Sequence, residues 1–293
     1  MADRRISILA IQSLRLMSLS FGLHGGVQLG CKCNAEGLPY LSSQRFSPPV
    51  HLSKPYLDHD SGSLLINLSC PTAGMLAGDR MSCDIQLNDN SSMVVTTPGA
   101  TRSHFMQNGI AMVEQSFRIY DHSFLEYNPG TLILQEATSL KQNTHIELSE
   151  QAELLFVEKI MPGRVAHGEL FQFKKFSNRM KIFKDKSLIL SEYFSLEPEN
   201  DSVHAWQHSF HTPFYGCFYL ISPKVEKSLP SCLEIHDLKN ECLLIGASQM
   251  HRNMGWIIKI LAGDAIEFRR AMKSVRSLIY QDLRRTPTNF RRY

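Results

Sequence analysis

The sequence lacks the features by which membrane proteins and nucleic-acid-binding proteins are recognised. No uninterrupted apolar run approaches the roughly 18 residues that a membrane-spanning helix needs. The 31 lysines and arginines nearly balance the 28 aspartates and glutamates, which leaves a net charge of only +3 and no broad basic surface. With 43% hydrophobic and 20% charged residues, the composition is that of a soluble globular protein. We therefore expect neither a membrane nor a nucleic acid among its partners.

Common catalytic motifs are also missing. The glycine-rich segment 74–80 lacks the G-K-[ST] sequence that places a lysine on nucleotide phosphates and a hydroxyl on magnesium. Neither the G-x-S-x-G motif of hydrolases nor the H-E-x-x-H motif of metalloproteases occurs. These absences predict that the protein is not an enzyme of these classes and does not bind GTP.

Cysteine is scarce and scattered, and histidine is dense in one place. Of the seven cysteines only Cys31 and Cys33 are close in sequence, and they lack the second ligand pair of a structural zinc site. We expect reduced, mostly buried thiols in a cytosolic protein. His204, His208 and His211 have spacing that suits a metal site on a helix, although the polar residues before them and the proline after them favour a loop.

The N-terminal residues combine two arginines with an apolar stretch, as secretory signals do. Gln12 and Arg15 interrupt this stretch, and no small-residue cleavage site stands out. We expect residues 1–22 to be an N-terminal extension, either a short amphipathic helix or a disordered segment. Residues 23–293 are then a single domain.

The stretch from Ser69 to Arg102 carries the clearest local pattern and begins with a glycine-rich turn. Gly74 and Gly78 supply backbone conformations or close approaches that other residues reach only at a cost. Asp79 follows directly. One interpretation is that Asp79 caps this turn.

Two strands follow the glycine-rich turn. Residues 81–87 alternate apolar and polar side chains, which predicts a half-buried strand. A polar turn at 88–91 leads to residues 93–97, whose β-branched side chains predict the return strand of a pair.

Short strands continue along most of the chain. No helical pattern is long enough for β-α-β units, so we expect an all-β chain as far as about residue 260. No residue period recurs, which gives no support to a regular repeat. A sandwich, a barrel and an irregular solenoid all stay open. The further predicted strands are 63–68, 111–120, 123–127, 132–135, 144–148 and 153–160.

One clear helix is predicted near the C-terminus. Asp264 and Glu267 have the spacing of a capping box, large apolar residues recur at helical spacing, and Thr286-Pro287 should end the helix. We expect this helix and the basic tail after it to dock against a partner. The candidate contact residues are Phe268, Met272, Val275, Leu278, Arg284 and Arg285.

Charged residues in or beside the conspicuous motifs are the candidate functional side chains. Each could be a surface charge or one half of a structural pair. A buried carboxylate must be paired, hydrogen-bonded to turn amides or facing internal water. A row of carboxylates along internal water would be a path for a hard or borderline cation, because oxygen ligands hold a borderline transition metal less tightly than imidazole or thiolate does. The candidates are Asp79, Glu126, Glu158, Glu169 and Glu192, with Arg164 beside them.

Several motifs in the same order along the chain together resemble a known family. From about residue 29 to the C-terminus the chain is similar to the urease accessory proteins called UreD or UreH, which show G-G-x-x-G-G-D followed by T-T-x-A-x-T-K. This sequence departs from that pattern with alanine at 73 and 77, with arginine in place of the last lysine, and with Ser103-His104-Phe105 after it. The positions that carry the resemblance are Gly74, Gly78, Thr97, Thr101, Arg102, Pro129, Gly163, Arg164 and Gly168.

The resemblance implies both a fold and a function. The implied fold is mainly β, an elongated, solenoid-like β-superhelical stack of strands with a C-terminal helix. The implied function is that of a cytoplasmic, non-enzymatic scaffold that joins UreF, the GTPase UreG and apo-urease, and it allows a homodimer within that complex. No tightly bound cofactor is implied, only nickel in transit to urease along the candidate carboxylates.

A function from another class is the alternative. A β-solenoid can also hold a carboxylate-dependent hydrolase, in which Asp79 and either Glu126 or Glu158 would act as an acid/base pair. Turnover of a small substrate by the isolated chain would favour the hydrolase. Co-purification with urease or a GTPase would favour the accessory protein.

Overall fold

Two β-sheets face each other and form the walls of a β-solenoid of about four coils. The computed structural model describes residues 22–72, 74–199 and 214–290. The chain passes from one sheet to the other and back, so that a strand of each coil pairs in parallel with a strand of the next coil. The predicted solenoid-like fold with a C-terminal helix is therefore confirmed.

The first sheet consists of seven strands, which are β1 (His24–Cys33), β2 (Pro39–Ser47), β6 (Arg80–Leu87), β9 (Ala111–Ile119), β12 (Ser139–Leu148), β14 (Lys175–Lys184) and β15 (Ser187–Leu196). Their spatial order is β15-β14-β12-β9-β6-β1-β2. The inner strands are parallel to one another, whereas β2 and β15 are antiparallel partners at the two edges.

The second sheet has a longer path, formed by β3 (His51–Leu52), β5 (Ser63–Ser69), β7 (Ser92–Thr96), β10 (Phe124–Asn128), β13 (Glu153–Met161), β16 (Phe214–Ile221), β17 (Leu243–Gln249) and β18 (Trp256–Ala262). Its order is β17-β18-β16-β13-β10-β7-β5-β3. Three short strands pair at its margin, β4 (Tyr56–Asp58), β8 (Thr101–Ser103) and β11 (Leu132–Leu134).

The core between the sheets is built from rows of residues that lie in register on successive coils. In the first sheet Ile85, Phe117, Ile146 and Ile182 are paired neighbours, and all are fully buried. They follow one another at spacings of 32, 29 and 36 residues. Because the coils differ in length, the solenoid leaves no fixed period in the sequence.

The strand at residues 93–97 exists, but its expected partner was wrong. β6 and β7 lie in different sheets, so the polar residues 88–91 form a corner of the solenoid and not a hairpin turn. The backbone of this corner is held from the neighbouring coils, because Asn88 N–H donates to Cys31 O at 2.9 Å and Phe124 N–H donates to Ser91 O at 2.9 Å. A polar turn is compatible with either geometry, and only these non-local bonds distinguish them.

Within the described residues, two α-helices, α1 (Cys232–Asp237) and α2 (Ala265–Asp282), pack at the β16–β18 side, and residues 165–167 and 251–253 form single 3-10 turns. The expectation of an all-β chain as far as about residue 260 was wrong at α1. This helix is too short to show a hydrophobic period. It is held by the buried side chain of Ile235 and by the hydroxyl of Ser231, which donates to Asp282 at 2.6 Å.

The capping box of α2 is confirmed at its N-terminal residue. Asp264 Oδ1 accepts hydrogen bonds from the amides of Ile266 at 2.7 Å and Glu267 at 2.9 Å. The helix ends at Asp282, before the expected stop at Thr286-Pro287. Arg284, two residues after the helix ends, adopts a left-handed conformation with φ of 52°, which does not continue a helix.

Among the described residues, no helix combines the length and the apolar composition that crossing a bilayer requires.

Candidate functional site

A cavity of about 470 Å³ lies between the two sheets. Its walls are mainly apolar, and the exposed segments 70–72 and 98–100 lie at its open side. The polar side chains along its walls include Gln115, Gln142 and Glu158. An apolar cavity with a few convergent polar groups is the usual form of a binding site.

The first motif builds the rim of this cavity through a close contact between two chain segments. Gly74 has φ of 140°, and a Cβ atom there would lie 2.3 Å from the carbonyl oxygen of Arg102. Met75 N–H donates to that same carbonyl at 2.8 Å, and His104 N–H donates to Met75 O at 2.9 Å. Glycine is needed at position 74 because no side chain fits between the two backbones.

A second close contact on the rim involves the residues around Pro129. The hydroxyl oxygen of Thr97 accepts a hydrogen bond from Gly130 N–H at 2.7 Å. A Cβ atom on Gly130 would lie 2.0 Å from the carbonyl oxygen of Gly99, and Thr101 N–H donates to Thr131 O at 2.9 Å. The backbone segments of the rim are therefore packed so closely that only glycine fits at Gly74 and Gly130.

Asp79 is buried and closes the glycine-rich turn. One carboxylate oxygen accepts from Leu23 N–H and the other from Leu76 N–H, both at 2.7 Å. The side chain therefore ties the strand that begins the domain to the turn around Gly78. This arrangement matches the interpretation of Asp79 as a structural cap.

Glu126 is completely buried on the face of β10 that α2 covers. Arg276 binds it through two parallel hydrogen bonds, with Nε at 2.6 Å from Oε1 and Nη2 at 2.7 Å from Oε2. Tyr280 donates its hydroxyl proton to Oε2, and Asn128 donates to Oε1 at 2.9 Å. Both oxygens are thus occupied, and the carboxylate is held as an ion pair that fastens α2 to the solenoid.

Lys159 is a largely buried amine beside this ion pair. Its Nζ atom donates to the side-chain oxygen of Asn128 at 2.7 Å. Burial lowers the pKa of Lys159 to about 8, while the nearby charge of Glu126 partly opposes that change. The Lys159 amine is therefore close enough to interact electrostatically with both Glu126 and Arg276.

Glu158 lines the cavity, and its hydrogen bonds come from neutral groups. Gln142 and Asn178 donate amide protons to Oε1 at 3.1 and 3.0 Å, and Tyr219 lies 3.3 Å from Oε2. Burial raises the pKa of Glu158 to about 7, and the neighbouring charge of Glu192 raises it further against the hydrogen bonds. The carboxyl group is therefore partly protonated at neutral pH.

Tyr219 links Glu158 on the second sheet to Glu192 on the first sheet. Its hydroxyl lies 2.8 Å from Oε2 of Glu192, and the other oxygen of Glu192 is paired with the half-exposed Lys259. One hydroxyl proton can serve only one of two carboxylates at a time. Protonation of Glu158 resolves this conflict, because Glu158 can then donate to the tyrosine oxygen while the tyrosine donates to Glu192.

Glu169 belongs to a separate loop between β13 and β14. Its carboxylate accepts from the side chain of Arg164 and from the amide of Glu136. Burial acts to raise the pKa of Glu169, but these hydrogen bonds outweigh burial and lower it. Gly163 and Gly168 both have positive φ, and a Cβ atom on Gly163 would overlap the carbonyl oxygen of Glu169. Residues 163–169 therefore form a compact loop that is held together by the ion pair between Arg164 and Glu169.

The structure brings together only part of the predicted carboxylate set. Glu158 and Glu192 share Tyr219, whereas Glu126 lies on the opposite face of the second sheet from the cavity, and Asp79 and Glu169 are bound to backbone amides. The described part of the chain contains no group of three or more acidic, cysteine or histidine residues that could hold a metal ion. The five carboxylates therefore do not line one common cavity, and a role for any of them in cation transit stays a prediction.

The apolar contact residues predicted on the C-terminal helix also have a different place. Phe268, Met272 and Val275 are buried against the second sheet. Leu278 is only partly buried, and Arg285 is paired with Glu153 at 2.7 Å. A partner surface formed by the buried three is contradicted, because the protein's own core already occupies them. Arg284 is exposed.

The cysteines are free thiols, and within the described residues they belong to no group that could hold a metal ion. All seven cysteines are free, as expected, but only Cys31, Cys83 and Cys217 are buried. Burial raises the pKa of the Cys31 thiol to about 12, while the Cys33 thiol donates to a backbone carbonyl at 3.2 Å. The histidines at 204, 208 and 211 lie outside the described residues.

Sequence reasoning missed the neutral partners of the cavity and the cation that holds Glu126. Gln142, Asn178 and Tyr219 stand on three different strands, and no local pattern connects them. Arg276 was detectable in principle, since it lies four residues before Tyr280 on the inward side of an amphipathic helix. A charged residue at such a position signals a buried acidic partner.

Comparison with known proteins places these features in a family. The model of the UreD urease accessory protein family matches residues 23–292. The chain belongs to this family. The chain is 31% identical to the urease accessory protein UreD of Opitutus terrae over 257 residues, which cover 87% of this chain and 93% of that protein.

Two other relatives align over different lengths of this chain. The UreD protein of Acetivibrio thermocellus is 22% identical over 270 residues, covering 90% of this chain and all of that protein. The UreH protein of Helicobacter hepaticus is 30% identical over 179 residues, covering 61% of this chain and 70% of that protein. The rim glycines, Asp79 and the closed loop at Gly163 are therefore features of a UreD-family fold in this chain.

Proposed function

We propose that this chain is a non-enzymatic accessory protein of urease maturation that acts with UreF and the GTPase UreG to incorporate nickel into apo-urease. The observation that carries this proposal is the family match over nearly the whole described chain. A general role in urease maturation follows from that membership. The named partners, the nickel cargo and the cytoplasmic location are the proposed parts, as is a homodimer within the accessory complex.

The cavity supports the proposed handling of nickel as a cargo. Gln142 and Glu158 offer oxygen ligands on the wall of a mainly apolar space. Such ligands hold nickel less tightly than imidazole or thiolate does, which suits passage better than storage. A carboxyl group with a pKa of about 7 also carries less negative charge before the cation arrives. We assign the transit role to Glu158, with Glu192 behind it, and not to the full set of five.

The hydrolase alternative receives no support from the geometry. Asp79 and Glu126 have both carboxylate oxygens occupied by hydrogen bonds. Glu126 and Glu158 point to opposite faces of the second sheet, so they do not flank a common substrate position. An acid/base pair drawn from these three residues is therefore disfavoured.

Co-expression tests the proposal directly. Urease would be produced together with UreF, UreG and either this chain, no UreD-family protein, or its Glu158→Gln variant, and its nickel content measured. We expect nickel incorporation to require this chain and to fall for the variant, with added nickel partly restoring it. Glu147→Gln is the matched control, because Glu147 is more than half exposed on the outer face of the first sheet.

The possible outcomes separate the general role from the specific route. Equal nickel content with and without this chain would overturn the maturation function. Full nickel loading by Glu158→Gln, in a protein that folds and binds UreF normally, would remove Glu158 from the route and leave the general role intact.

A further inference from the structure

Four exposed apolar side chains surround the glycine-rich turn. Leu23, Leu76, Phe105 and Ile110 are 49, 51, 59 and 39% exposed. They come from three separate segments of the chain. Exposed apolar side chains that gather in one place, unlike scattered ones, mark a surface that something covers.

Hydrogen bonds fix the positions of these segments relative to one another. Asp79 accepts from the amides of Leu23 and Leu76, both at 2.7 Å. Gly78 N–H donates to Ile110 O at 3.1 Å, and the pairing of His104 N–H with Met75 O sets Phe105 beside the turn. We refer to Leu23, Leu76, Phe105 and Ile110 as the turn patch. The buried carboxylate of Asp79 and the hydrogen bonds between backbone groups hold the segments of this patch in place.

The chain reaches this patch at the point where its first 21 residues join the domain. A Cβ atom on Gly22 would lie 1.9 Å from Gly78 O, so the backbone at Gly22 runs directly over the turn. The segment 6–21, ISILAIQSLRLMSLSF, is rich in large aliphatic residues, and Arg15 is its only charged residue. Removing the apolar side chains of such a segment from water lowers the free energy of the protein.

We propose that residues 6–21 dock on the turn patch and cover it within the same chain. Covalent attachment at Gly22 gives this segment an effective concentration in the millimolar range at the patch, which a free partner would have to exceed. The apolar composition of the segment matches that of the patch. The segment also lies outside the part of the chain that matches the family model, so the family match by itself does not imply this contact.

Photo-crosslinking of the full chain tests this docking. Phe105 would be replaced by the photoreactive p-benzoylphenylalanine, which keeps an aromatic ring at an exposed position. Unlabelled and nitrogen-15-labelled chains would be mixed before irradiation, and the cross-linked peptides identified by mass spectrometry. We expect the main product to join position 105 to residues 6–21 of the same isotopic chain, and Leu9→Asp with Leu16→Asp to abolish it.

A matched control is the same photoreactive residue at Leu233, which is 78% exposed in α1. We expect that position to give no product with residues 6–21. Cross-links from position 105 that join two differently labelled chains would assign the patch to a second copy and overturn the proposal. The absence of any product with residues 6–21, in a protein whose thermal unfolding is unchanged, would overturn it as well.

Discussion

Two buried carboxylates on neighbouring parallel strands have opposite surroundings. Glu126 on β10 is 0% exposed and Glu158 on β13 is 5% exposed. Glu126 faces α2 and is bound by Arg276 through two charge-assisted hydrogen bonds. Glu158 faces the cavity and receives hydrogen bonds from neutral amide and hydroxyl groups. Burial alone therefore does not decide the charge of a carboxyl group. The charge also depends on whether the nearest hydrogen-bond donor is a cation or a neutral group.

The comparison separates a structural ion pair from a site suited to cargo. An ionised carboxylate already paired with arginine cannot accept a cation without losing its partner. A protonated carboxyl group on a cavity wall can give up its proton when a cation arrives. Glu158 is thus the better candidate for binding, although the sequence alone made both residues candidates.

Removing Arg276, the cation that pairs with Glu126, should have the largest effect on stability. Arg276→Met leaves Glu126 buried without its charged partner, and the loss of a buried partner typically costs about 3–5 kcal/mol. We expect the free energy of unfolding, measured with urea, to fall by that amount. Arg270→Met is the control, because Arg270 belongs to an exposed pair with Glu267 on the same helix. An equal effect of the two substitutions would contradict the assignment of Glu126 as a buried ion.

Around Glu158, in contrast, removing the charge of the carboxylate should stabilise the protein, and the effect should depend on pH. The pKa of Glu158 is raised from 4.5 to about 7 in the folded protein, so the folded state binds this proton more tightly than the unfolded state. Its stabilising effect is present below pH 4.5 and is lost as the pH rises through 7. At pH 8 we expect Glu158→Gln to be more stable than the parent protein by up to about 3 kcal/mol. At pH 4 the two should be similar.

Urea titrations of both proteins at the two pH values provide the measurement. The Glu147→Gln protein serves as the control, since Glu147 is exposed and lies on the other sheet. A stability difference between Glu158→Gln and the parent that stays constant from pH 4 to 8 would show that folding does not raise the pKa of Glu158.

Asp79 offers a third kind of carboxylate, bound by backbone amides. Asp79→Asn keeps the shape and one acceptor, so we expect a loss of about 1 kcal/mol in the free energy of unfolding. Association with UreF should be retained once the protein is folded, which a pull-down would measure. Normal stability with lost association would contradict the structural role.

Lys259 should have the smallest effect on stability. It is 46% exposed and pairs with Glu192, and exposed pairs contribute about 0–1 kcal/mol. Because the charge of Lys259 lowers the pKa of Glu158, Lys259→Met should raise that pKa. The stability change that depends on pH should then shift to higher pH, as a repeat of the titration would reveal. An unchanged midpoint would place Lys259 outside the electrostatic environment of the cavity.

The sequence by itself determined the strands, the capped C-terminal helix and the family. These features follow from local chemistry: alternation of apolar residues along β6, a side-chain cap at Asp264, and glycines where backbones touch. The steric contact of Gly74 with Arg102 and that of Gly163 with Glu169 explain why the motifs were visible as residue patterns.

Only the tertiary structure decided how the candidate residues combine. Strands of successive coils pair across about 30 residues, as with Ile85 and Phe117, and a polar corner looks the same in sequence as a hairpin turn. Whether Glu126 meets an arginine and Glu158 meets amides depends on the face of the sheet and on contacts such as that between residues 126 and 276. Electrostatic interactions depend on distance in space, so the charge and the role of each carboxylate were fixed by folding.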